Sequence, residues 1–135
     1  MKQCEEHFTS LWERILLADA YHAMHQDVEE EMQAYGVPSA LTRQTLATLD
    51  NSLCAGLEQL MYGSLSDDNR DIFTWVLARY IDKLQIAAYQ EEAVIHACRS
   101  EDTTDMPDII EMQLEAAQRY RCTAETAQNM LNALM

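Results

Sequence analysis

The chain has 135 residues, with 23 Asp plus Glu against 9 Lys plus Arg and a formal charge of −14. At 48% hydrophobic it reads as one domain, residues 1–135, with a real core rather than a disordered acidic tail. Three Gly and two Pro are too few for the turns of a β-sandwich or barrel or for a phosphate-cradling loop, and the negative charge disfavours direct nucleic-acid or anionic-membrane contact.

From Met1 to His7 there is no basic start followed by an apolar run, so no secretory leader is expected. No stretch approaches the roughly 18 apolar residues of a membrane span. Cys4, Cys54, Cys98 and Cys122 form no CxxC pair and lack the tight spacing of a zinc site. They are expected as free thiols in a reducing cytoplasm.

Three breaks divide the chain: Gly36-Val37-Pro38, Gly63 to Asn69, and Arg99 to Pro107. The four segments between them show helical periodicity. The first helix runs to about Tyr35. Ser10-x-x-Glu13 resembles a capping box, while Cys4 to Thr9 are also compatible with helix, so its start stays open. Its expected buried series is Phe8, Leu11, Ile15, Ala18, Val28, Met32 and Tyr35, with His22 and His25 continuing the stripe. The second helix spans about Ser39 to Tyr62, with Ser39 as N-cap and Leu46, Leu49, Leu53, Leu57 and Leu60 inward.

The third helix, about Arg70 to Cys98, buries Phe73, Val76, Leu77, Tyr80, Leu84, Ala87, Val94 and Ile95. Trp75, Ile81, Ile86 and Tyr89 make it apolar all round, which predicts a homodimer through the first or third helix. The fourth starts near Pro107, a favourable first-turn proline, and buries Ile109, Met112, Ala116, Tyr120, Ala124, Ala127, Leu131 and Leu134. Eight methionines serve as core filler. Four long helices with short connections predict an all-α fold, an antiparallel up-down four-helix bundle.

Such connectivity places the first and third connections at one end. That end gathers Asp27, Glu29, Glu30, Glu31, Glu91, Glu92, Glu101, Asp102, Asp105, Asp108 and Glu111, against Arg43 and Arg99 nearby. Asp108 and Glu111 suit a helix start. Glu29, Glu30 and Glu31 sit in last turns, where the helix dipole makes each cost about 0.3–1 kcal/mol at low salt. A placement that opposes stability points to a docking pole for a basic protein partner.

His22 and His25 share a helix face and are the candidate metal ligands of an alternative reading. Level counting along the rods puts His25 beside Thr48, Gln85 and Cys122, and His22 beside Asn51, Asp82 and Glu125. Against a metal, Cys122 and Glu125 fall on the polar side of the last helix, and the Glu-x-x-His pairs of di-iron bundles are absent. No GxSxG, HExxH or Walker-type lysine loop is present. Neither an enzyme nor a cofactor is expected. The expected function is a non-catalytic acidic regulator, inhibitor or adaptor. Its partner is a basic protein, in one version a nucleic-acid-binding protein whose phosphate-contacting surface it covers. A self-assembling structural subunit is the third reading.

Overall fold

The computed structural model describes residues 10–100 and 107–135. These form four helices: α1 (Leu11–Ala34), α2 (Ser39–Tyr62), α3 (Asp67–Ser100) and α4 (Pro107–Leu134). The all-α, four-helix expectation holds. Among the described residues no helix is long and apolar enough to cross a membrane.

Local chemistry sets the helix ends. Ser10 is the N-cap of α1, its Oγ accepting the Glu13 N–H at 3.1 Å and donating to the Glu13 carboxylate at 2.7 Å. At the other end Gly36 takes φ +70, open to glycine and strained for other residues. Val37 N–H then reaches Met32 O at 2.9 Å and Gly36 N–H reaches Gln33 O at 3.1 Å, the paired bonds of a Schellman ending. Ser39 is not the cap of α2. Pro38 holds that position with no side-chain bond, and its carbonyl receives the N–H groups of Leu41 and Thr42. Proline's fixed φ suits this entry, so Ser39 becomes the first helical residue.

The connection to α3 is tied down from both sides. Gln59 Oε1 accepts the Ser66 N–H at 2.9 Å and the Asn69 amide at 3.1 Å, while Ser66 Oγ accepts the Asn69 N–H. Leu65, inside the expected break, is 5% exposed and belongs to the core. At the far end of α4, the Leu134 carbonyl accepts from Arg70 of α3 at 3.0 Å.

One core joins all four helices. It contains Leu16, Leu17, Ala20, Tyr21 and Met24 of α1, Leu49 of α2, Phe73, Val76, Leu77 and Ile81 of α3, and Ala127, Met130, Leu131 and Leu134 of α4. The α1 stripe differs from expectation. Leu11 is 74% exposed, Ile15 46% and Tyr35 85%, while Tyr21 and Met24 lie inside. The expected series jumps ten residues from Ala18 to Val28, and ten residues fall about 80° short of three full turns. Its first half therefore follows the wrong face of a helix that is apolar on two sides. Elsewhere Val94 and Met112 are exposed, against expectation; of the residues that make α3 apolar all round, Ile81 is buried and Trp75, Ile86 and Tyr89 face outward. Phe8 lies outside the described residues, as does the side chain of Ile109.

Helix directions follow from cross-helix pairs. Tyr21 OH meets Ser52 at 3.1 Å and His25 lies 3.9 Å from Asp50, so α1 and α2 run oppositely. Arg70 at Leu134 and Glu92 at Arg121 show the same for α3 and α4. Between the hairpins, level counting fails. Tyr21 packs edge-on to Phe73, not near Asp82. Trp12 shares a cavity with Tyr80 and Leu84, yet Asp27, four turns further along α1, reaches Arg79 and Lys83. Both ends of the α1 contact return to one stretch of α3, so α1 lies across α3 rather than along it.

Candidate docking surface

Near its C-terminal end, α1 presents four acids whose fates differ. Asp27 turns inward between helices: its Oδ2 lies 3.2 Å from Arg79 Nε and its Oδ1 2.7 Å from Lys83 Nζ. Burial raises its pKa, but the hydrogen bonds from Lys83 and Arg79 outweigh that and hold it below the ordinary carboxylate range. Glu31 approaches the other side of Arg79, at 3.7 Å. Glu29 and Glu30 are exposed, and among the described residues no ion pair reaches them. The last turn of α1 holds no basic residue.

On α3, Glu91 and Glu92 are half-buried. Arg121 grips Glu92 with both nitrogens, Nε at 2.6 Å and a terminal nitrogen at 2.9 Å. The hydrogen bond and charge of that guanidinium lower the Glu92 pKa, and the carboxylate raises that of Arg121. Glu111 is exposed on α4. Glu101, Asp102 and Asp105 lie outside the described residues, as does the side chain of Asp108.

Apart from Glu111, which lies about 15 Å along α4 from Arg121, the described acids form two groups. One is the end of α1, at the level of Arg79 and Lys83. The other is centred on Glu92, roughly 14–20 Å further along α3. That separation exceeds the Debye length of about 8 Å at physiological salt, so the groups act as separate patches. The expected up-down connectivity set these acids near Arg43 and Arg99. Among the described side chains, packing pairs Asp27 with Arg79 and Lys83, and Glu92 with Arg121, each from another helix, while the side chain of Arg99 lies outside the described residues.

The two histidines have different surroundings. His22 is exposed, its Nε2 3.4 Å from the Gln26 amide, and His25 is half-buried beside Asp50. Tyr21 and Met24 occupy the core stripe that the histidines were expected to continue. Among the described residues no three His, Cys, Asp or Glu side chains converge on a metal position. Cys54 and Cys122 are exposed free thiols.

A surface cavity of about 320 Å³ lies where α1 meets the α3–α4 hairpin, lined chiefly by Trp12, Asp19, Tyr80, Arg119 and Tyr120. Burial, then the nearby Asp19 and Tyr120, push the Tyr80 hydroxyl up from its ordinary pKa. Sequence reasoning did not find this grouping, because it depends on α1 crossing α3.

Compared with known proteins, the chain matches no family model, no curated protein and no solved structure.

Proposed function

We propose that the chain is a non-catalytic acidic interaction protein acting in the cytoplasm, a regulator, inhibitor or adaptor that docks a basic protein partner. The exposed and unpaired Glu29 and Glu30 carry this reading. They stand at a helix end whose dipole opposes them, in a turn with no basic residue. Long-range attraction steers the basic partner to this end, and contact with adjacent apolar side chains then holds it. In the narrower version the partner is a nucleic-acid-binding protein, and the carboxylates occupy its phosphate-contacting surface.

The test compares the native chain with Glu29→Lys/Glu30→Lys/Glu31→Lys as bait in host lysate, at low and high salt. Basic proteins retained by the native chain at low salt, released by high salt and absent from the variant support the reading. The same proteins retained by both baits at both salts refute it. Competition by duplex DNA for the retained protein separates the narrower version.

A further inference from the structure

The outward face of α3 is apolar where a surface helix is normally polar. Trp75 is 50% exposed, Ile86 58% and Tyr89 69%. With Asp82 and Ala93, also exposed, they fall within about 60° around the helix and run about 27 Å along it. The three large side chains show on the order of 300 Å² to solvent, the scale of patches that mark interaction sites.

Charge says what fits there. Asp82 interrupts the apolar stripe and Asp71 stands at its start, both exposed. The bases beside the stripe, Arg79 and Lys83, are already engaged by Asp27 and Glu31. Because Glu31 lies 3.7 Å from Arg79, the acidic end of α1 abuts the stripe. The surface is thus an apolar strip with an acid near its middle and carboxylates along one edge.

We propose that this face of α3, edged by the α1 carboxylates, docks a single basic amphipathic helix of the partner protein. The inference rests on the docking reading above and adds the surface and the shape of what binds. The partner's apolar side covers Trp75, Ile86 and Tyr89, a basic side chain meets Asp82, and others meet Glu30 and Glu31. A second copy of this chain is a poorer occupant. Its α3 brings another Asp82 to the same surface, and a charge of −14 on each copy opposes approach.

With Trp12→Phe as background, Trp75 is the sole indole and reports directly on the stripe. The probe is a synthetic amphipathic peptide of Leu and Lys, about five turns long. Its controls are a Leu/Glu peptide of the same pattern and a Leu/Lys peptide in scrambled order. The amphipathic Leu/Lys peptide is expected to bind at about micromolar Kd with a blue shift of Trp75 emission. Ile86→Asp/Tyr89→Asp, at exposed positions and with unchanged circular dichroism, is expected to weaken it at least about tenfold.

If the peptide binds without moving Trp75 emission, ignores the Ile86/Tyr89 variant and is lost in the Glu29/Glu30/Glu31 variant, the α3 surface is wrong and the docking reading stands. Equal affinity for the scrambled peptide overturns the helical partner. Absence of salt-dependent binding to either basic peptide removes both readings. A dimer by sedimentation that the Ile86/Tyr89 variant dissolves reassigns the surface to a second copy.

Discussion

Replacing Gly56 by alanine sets two effects of opposite sign against each other. Gly56 is buried in the interior of α2, and helix propensity alone makes alanine there about 1 kcal/mol more favourable. A methyl group at this position, however, collides with Phe73 Cζ and stands 2.7 Å from Cε1 and 3.3 Å from Cε2. Non-bonded carbons settle at about 3.5–4.0 Å. Phe73 is fully buried, and its ring meets Tyr21 edge-on at 5.7 Å and 80°. Tyr21 is itself held by Ser52, one turn before Gly56 on α2. The ring has no free direction to swing, so α2 and α3 must part. Overpacking costs about 1–3 kcal/mol, and an overlap near an ångström at two atoms belongs at the upper end. Net of propensity, Gly56→Ala is expected to lose about 1–2 kcal/mol in urea unfolding followed by circular dichroism. In a Phe73→Leu background the same change is expected to be neutral or stabilising. Gly63→Ala, with nothing within 4 Å, stays within about 0.5 kcal/mol of the native chain. If Gly56→Ala stabilises the native chain by about 1 kcal/mol, the close approach of α2 to Phe73 is refuted.

Asp27→Asn is expected to cost about 1 kcal/mol near neutral pH, a modest figure because Arg79 and Lys83 are each 42% exposed and return to water. The folded-state pKa of Asp27 is depressed, so its contribution is present above the ordinary carboxylate pKa and disappears as pH falls through and below it. The stability difference between native and variant should therefore shrink below about pH 4; a difference constant down to pH 2 refutes the ion pair. At alkaline pH the sign reverses: burial pushes the Tyr21 hydroxyl up to about 12, against the lowering effect of Ser52, so its stability contribution is full below 10.0 and lost as pH rises toward 12. Tyr21→Phe should flatten that alkaline loss, and ultraviolet titration should show one fewer late-ionising tyrosine in the variant than in the native chain, Tyr80 staying raised in both. Gly36→Ala, forced to φ +70, should lower stability by about 1 kcal/mol, measured by thermal melting; an unchanged melt counts against the Schellman ending.

What could be read from the sequence was local. Gly36 followed by Val37-Pro38 carries its own turn geometry, so the end of α1 was legible, whereas its start was left open between the Ser10-x-x-Glu13 box and an earlier beginning, and the structure caps it at Ser10. The leucines of α2 repeat on one face and needed no partner to be assigned. The α1 stripe was not legible, because residues 11–24 offer two apolar faces and only packing on Phe73 and Met130 selects Tyr21 and Met24. Leu65 was hidden by the polar residues around it, where the Ser66 backbone N–H and the Asn69 side chain fold the loop back onto Gln59. For the acids, residue type and helix position exposed Glu29, Glu30 and Glu31 correctly. The counter-ions of Asp27 and Glu92 come from 52 and 29 residues away, and no spacing rule reaches that far.

The Gln59 carboxamide has a consequence beyond its loop. By accepting from both Ser66 and Asn69, while Asn69 also accepts from Ser52, it stiffens the elbow where one hairpin passes into the other. The α1 carboxylates sit on the first arm and the tryptophan stripe on the second, so any recognition that uses them together relies on this joint to keep their spacing. Weakening the elbow would spoil such recognition from a distance, through a residue outside both surfaces.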